Sequence, residues 1–171
     1  MSNERVEKAY ELHAKSSPVN IEQMIRDSGL QLEKSAELQE GIAGELRKNQ
    51  DDTYTVSVNS QDHYYRRRFT MAHELGHYYL HRSLIGDGVD DSVKYRSTVG
   101  GNFYNTNIAQ KHEREANFFA AFVLMPEELL KESVDALSGQ PIDTSVIREM
   151  AIKFQVSPEA MKIRLSSLRL L

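Results

Sequence analysis

Cysteine is absent from all 171 residues. That excludes a disulfide framework and any thiolate metal site, so a bound metal would have to be held by imidazole and carboxylate groups. Tryptophan is also missing, and proline occurs only four times. No apolar run approaches the ~20 residues needed to cross a bilayer. The opening residues Met1-Ser2-Asn3-Glu4-Arg5-Val6-Glu7 contain no apolar signal core. The expectation is a cytoplasmic protein with no membrane partner. Excess basic charge is lacking too: 21 Lys and Arg stand against 25 Asp and Glu, a net charge of -4. This argues against a protein that coats nucleic acid nonspecifically. What is present is 40% hydrophobic and 27% charged residues, enough for a globular core in one domain, with or without a small appendage.

The most informative stretch is Phe69-Thr70-Met71-Ala72-His73-Glu74-Leu75-Gly76-His77-Tyr78-Tyr79-Leu80-His81. It contains His-Glu-x-x-His in a run that can be helical. At about 100° per residue, His73 and His77 lie one turn apart and only about 40° apart around the axis. Two imidazoles so placed can each offer a ring nitrogen to one tetrahedral zinc ion. Glu74 beside them can act as a base on water rather than as a ligand. The pentapeptide is short enough to arise by chance, so the rest of the chain has to support it.

Around this stretch the elements read in order. A first helix spans 2 to about 15. A second is well specified: Asn20 as N-cap, Gln23 as its capping-box partner, Val19 and Met24 as a hydrophobic staple, and Gly29 as the left-handed residue past its end. Residues 30–34 alternate briefly, as a strand would. Segments 42–47 and 53–59 flank Asn49-Gln50-Asp51-Asp52, which predicts an antiparallel hairpin covered on one side by helices. Ser60 or Asp62 is the expected cap of the motif helix. Arg66, Arg67 and Arg68 point in three directions and read as solvated charge with one structural ion pair. Residues 82–111 show no strong periodicity, and a connection of that length between two functional elements suits a substrate-facing or mobile role. The run from His112 to Met125 starts polar and becomes apolar all round, which predicts a helix buried in the core. Pro126 ends it and opens another helix. Asp143 or Thr144, then Ser157-Pro158, mark the starts of two final helices in a helix-turn-helix outline. A domain over 1–138 with a helical extension over 139–171 packed on it is expected.

A catalytic zinc wants a third protein ligand. Glu113 and Glu115 compete, each at the start of the apolar helix. Glu113 is preferred because a buried carboxylate is costly unless compensated, and zinc compensates it. Asn117, one turn on, could then hydrogen-bond a ligating imidazole and orient its ring. Glu115 suits a structural ion pair. His81 lies too far along the helix from His73 to share its metal, and reads as a structural or partly exposed histidine.

Arg68 to His81, with Glu113-Arg114-Glu115-Ala116-Asn117-Phe118-Phe119-Ala120-Ala121 and Leu124-Met125-Pro126, resembles the two central signatures of the ImmA/IrrE-type zinc metallopeptidases of bacteria and their mobile elements. Pro18-Val19-Asn20-Ile21 and Phe154-Gln155-Val156-Ser157 with Arg164-Leu165 are similar to weaker features of that family. The resemblance implies an α+β fold: a small antiparallel sheet packed by helices, a zincin-like HExxH helix, a second ligand helix and a C-terminal helical pair. It implies Zn2+ on His73, His77 and Glu113, with Glu74 as catalytic base. It also implies an anti-repressor, a protease that cleaves or inactivates a helix-turn-helix transcriptional repressor encoded on a phage or integrative element. An oxyanion donor is needed as well; Tyr95, Tyr104 and His112 are the candidates. Two other readings stay open: a module that sequesters its partner without cutting it, and a DNA-binding regulator using residues 144–171. The overall acidity disfavours direct DNA binding. Oligomeric state is not encoded in any recognisable pattern.

Overall fold

The computed structural model of the chain describes residues 2–85, 95–98 and 110–171, with only the backbone described for 2, 3 and 95–98. Helix α1 (Ser2–His13) is followed by α2 (Ile21–Asp27), β1 (Gln31–Ala36), β2 (Ile42–Lys48), β3 (Tyr54–Asn59) and α3 (Tyr64–His81). After a 3-10 turn at Arg82–Leu84 come β4 (Tyr95–Thr98), α4 (Gln110–Leu124), α5 (Glu127–Asp135), α6 (Thr144–Phe154) and α7 (Pro158–Ser167). Among the described residues no helix is long and apolar enough to cross a membrane.

Local chemistry sets several of these boundaries. The Asn20 side chain accepts from the Gln23 amide at 3.1 Å and starts α2. At its far end Gly29 has φ +87°, a conformation that costs an L-residue with a Cβ about 1–2 kcal/mol, and Leu30 N–H reaches back to Ile25 O at 3.2 Å. Asp143 caps α6, and Ser157 caps α7 with Pro158 in its first turn. The cap of α3 differs from both expected candidates. His63 Nδ1 accepts from the Tyr65 amide at 3.3 Å, while Asp62 is drawn instead to Arg66, four residues on, at 3.3 Å.

The fold is α+β. The sheet runs β1-β3-β2-β4 and is mixed rather than wholly antiparallel. β2 and β3 form the expected hairpin, with Gly44 opposite Val58 and Leu46 opposite Val56. β1 joins the free side of β3 in parallel, Leu32 opposite Val56. β4 pairs antiparallel with the other side of β2. The alternation of Tyr54, Val56 and Val58 with Thr55 and Ser57 survives, yet β3 is buried along its whole length. Thr55 and Ser57 are satisfied there by Asn49 and by Glu33, whose Oε2 accepts from Ser57 Oγ at 3.0 Å.

α3 packs on the sheet and α4 packs on α3. Val56, Val58, Met71, Ala72, Leu75, Ala120, Val123 and Leu124 belong to one core, which also takes Ile147, Phe154, Met161 and Leu165 from the last two helices. Burying a side chain such as Leu75 contributes about 1.5–3 kcal/mol. The arginine triplet is not simply solvated. Arg68 is buried and donates to Val19 O at 2.8 Å and Gln155 O at 3.2 Å, tying α3 to the segment leading into α2 and to the α6–α7 turn. Nor is α4 buried all round: Phe118 is 65% exposed and Phe122 38%, and with Leu80 they line an apolar surface groove of about 470 Å³. Only Ala116, Ala120, Val123 and Leu124 of α4 are fully inside.

Candidate metal centre

Two glycines let the site assemble. Gly44 of β2 lies under α3, where an added Cβ would run into Thr70 Cγ2, stand 3.0 Å from Ser57 O and 3.4 Å from Glu74 Oε1. Its missing side chain is what lets α3 lie this close to the sheet. Gly76 serves the α3–α4 crossing: a Cβ there would come within 3.1 Å of the Phe119 ring and 3.3 Å of Ala116 Cα. Close approach at Gly76 and Ala116 brings the first turn of α4 beside the middle of α3.

Three donors converge as a result. His73 Nε2 and His77 Nε2 are 3.0 Å apart. Glu113 places Oε2 3.3 Å from His73 Nε2 and Oε1 3.2 Å from His77 Nε2. One ligand atom from each residue lies within 4.8 Å of the others. A tetrahedral ion with bonds of about 2.0–2.1 Å would separate its donors by about 3.3 Å. The spacing therefore fits a single divalent cation. Asn117 Oδ1 lies 3.0 Å from His73 Nδ1. An amide oxygen only accepts, so that nitrogen carries the hydrogen and His73 Nε2 turns its lone pair towards the other donors.

The charge state agrees. Burial, helped by the neighbouring His73 and His81, lowers the His77 pKa to about 4 against the raising effect of Glu113, so His77 is neutral at pH 7. Burial alone would raise Glu113, but its contacts with His73 and His77 outweigh that and hold its carboxyl at about 2. An ionised carboxylate thus faces the neutral imidazole of His77 and the ring of His73. That donor set suits a borderline metal ion.

Glu74 is the outlier. Its side chain is 0% exposed, and neither carboxylate oxygen has a hydrogen-bond partner among the described residues. Burial first, then the charges of Glu113 and Glu45, raise its pKa well above the ordinary glutamate value. An orphaned carboxylate in such a place costs roughly 1–3 kcal/mol or more, which a protein carries only where something compensates it or uses it.

The remaining sequence candidates separate. Tyr104 lies outside the described residues; of Tyr95 only the backbone, on β4, is described. His112 meets the ring of His81 at 4.8 Å between centroids. His81 is 4% exposed, and Glu115 meets it at 2.8 Å. Of the two alternatives for His81, structural or partly exposed, burial removes the second, because α4 covers that end of α3. Spacing held the clue: His77 and His81 repeat the i, i+4 interval of His73 and His77.

Residues 35–166 match the model of the IrrE N-terminal-like domain of the Peptidase_M78 family. The chain belongs to this family. It is also 27% identical over 88 residues to "Metallopeptidase ImmA" of Bacillus subtilis (strain 168), a stretch covering 52% of this chain and 44% of that protein. The aligned region thus spans under half of the relative's length. The His73, His77 and Glu113 cluster lies within the matched region.

Proposed function

We propose that the protein is a zinc-dependent endopeptidase that cuts a helix-turn-helix transcriptional repressor. In this reading His73, His77 and Glu113 hold zinc, Glu74 is the catalytic base and Asn117 orients His73. The observation that carries it is Glu74: a wholly buried carboxylate, unpartnered among the described residues, on the turn that bears both imidazoles. The repressor as substrate rests on the family resemblance of the two signatures. The 139–171 segment is taken as a helical extension of the peptidase domain.

When bound, zinc polarises a peptide carbonyl and makes water acidic enough, with a pKa of about 7, to serve as nucleophile at neutral pH. The chain's own residues do the proton work. Glu74 Oε takes a proton from the attacking water as its oxygen bonds to the carbonyl carbon. The same oxygen returns that proton to the amine nitrogen as the C–N bond breaks. A buried position favours both transfers, because bulk water does not compete for the proton. Glu113 and the two imidazoles supply a fixed donor set, and the Asn117 contact keeps His73 in one tautomer.

A module that only sequesters its partner would have no use for a buried, unpartnered carboxylate. DNA reading through 144–171 is weakened by where two of its five cations go. Arg164 is buried and donates to Met125 O at 3.2 Å, and Lys153 donates to Ser133 Oγ at 2.9 Å. The test is to look for a helix-turn-helix repressor gene beside this one and to co-express its product with the chain. Wild type should remove the intact repressor and Glu74→Gln should leave it whole while binding zinc one to one. Cleavage by the zinc-loaded Glu74→Gln protein would refute the assigned role.

A further inference from the structure

One layer outside the three donors, a second chain of contacts ends on His77. His81 Nε2 lies 2.8 Å from Glu115 Oε2, and His81 Nδ1 lies 3.1 Å from His77 Nδ1. The hydrogens follow from the donor inventory. A carboxylate only accepts, so His81 Nε2 carries the hydrogen. A neutral imidazole has one N–H, so His81 Nδ1 is an acceptor. His77 Nδ1 must then donate to it, which leaves the lone pair of His77 on Nε2, the atom facing Glu113 and His73.

We propose that Glu115 and His81 are positioning residues that fix the tautomer and ring orientation of His77 as a metal ligand. This rests on reading His73, His77 and Glu113 as the zinc site. The two imidazoles of the site are thereby held differently. His73 is oriented in one step by Asn117, on the same edge of α4 as Glu113. His77 is oriented in two steps, from the opposite edge of α4, with a buried imidazole one helical turn away passing on the preference of a half-exposed carboxylate. Metal-ligating histidines generally donate their second N–H to an acceptor of this kind, directly or through one more group. The ring of His112, 4.8 Å from that of His81, packs against it.

The test uses the full chain, stripped of metal, and reads zinc affinity by competition with a chromogenic chelator. Cobalt absorption reports coordination geometry, and melting of the metal-free forms reports packing. His81→Phe keeps a ring but offers no acceptor, and should weaken zinc binding about 10- to 100-fold and alter the cobalt spectrum. His81→Asn puts an amide oxygen near the former Nδ1 and should recover most of that loss. Glu115→Leu should weaken zinc about 10-fold, the low end of the range, since water can replace a half-exposed acceptor. The double variant His81→Phe/Glu115→Leu should be no weaker than His81→Phe alone. Wild-type zinc affinity in His81→Phe, with or without a lowered melting temperature, would overturn the proposal. Should that variant not fold, wild-type affinity in Glu115→Leu overturns it instead. A wild-type chain that takes up no zinc would overturn the metal reading itself, and this inference with it.

Discussion

Replacing Glu74 by Gln removes a charge from a position of 0% exposure while keeping the side chain's shape. The raised Glu74 pKa means that, over the interval between about 4.5 and its folded value, the folded state keeps a proton that the unfolded state releases. Stability of the metal-free protein must therefore fall as pH rises through that interval. One proton sets the ceiling at about 1.4 kcal/mol per pH unit. For a chain of this size that is about 3–6 °C of melting temperature per pH unit. Other groups near the site also titrate. His77, at about 4, destabilises the fold as pH drops below the ordinary histidine range, and Glu113, at about 2, does so below the ordinary carboxylate range. Both are present in either protein, so subtracting the two melting curves isolates Glu74. The assay is circular-dichroism melting of both proteins in chelator from pH 4.5 to 8.5. The curves should converge at the acid end and separate towards the alkaline end, with Glu74→Gln the more stable. Adding zinc should narrow the gap, because a cation beside the carboxylate favours its ionised form. Parallel curves in chelator would refute the account of Glu74 as an uncompensated buried charge.

Two further outcomes follow from the geometry. Glu113→Gln keeps the size of the third donor but not its charge, and should weaken zinc by more than about 100-fold, beyond the reach of residues that act through a ligand; chelator competition reads this, and wild-type affinity would remove Glu113 from the ligand set. Gly44→Ala should destabilise the protein by about 1–3 kcal/mol, because the added Cβ meets Thr70, Ser57 and Glu74 in a packed interface. A lower urea midpoint at unchanged slope would show it, and a neutral result would mean that α3 does not lie so close to β2.

Much of the fold was legible wherever the determinant was local. Asn20 and Gly29 bound α2 by hydrogen bonds within a few residues of themselves, and the hairpin follows from alternation on either side of Asn49-Gln50-Asp51-Asp52. Residues 30–34 could be read as a strand, but nothing within them announces a parallel partner 24 residues away. Arg68 shows the same limit. Two arginines precede it in sequence, and its two acceptors, Val19 O and Gln155 O, come from segments 49 and 87 residues distant. An arginine is read as solvated unless such carbonyls are known to be waiting for it.

The site divides along the same line, and α4 shows why. At about 100° per residue, Ala116, Ala120 and Val123 fall within about 60° of one another and form the stripe that meets α3. Glu113 then lies about 50° to one side of the stripe's centre, and Glu115 about 110° to the other. Seen from Glu113 alone, Glu115 points away, and the sequence supports no more than a structural ion pair for it. Seen from the stripe, the two carboxylates flank a single helix crossing, so both can reach α3, at different heights. Glu113 meets His73 and His77, and Glu115 meets His81 one turn further on. The choice of origin on the helix was what sequence could not supply, because eight apolar residues from 118 to 125 hide which of them face inward. Alanine at 116 and 120, against phenylalanine at 118 and 122, marks the answer once Gly76 is known to need a small partner. A close helix crossing requires small residues on both sides, and the carboxylates that flank it are the ones able to reach the histidines.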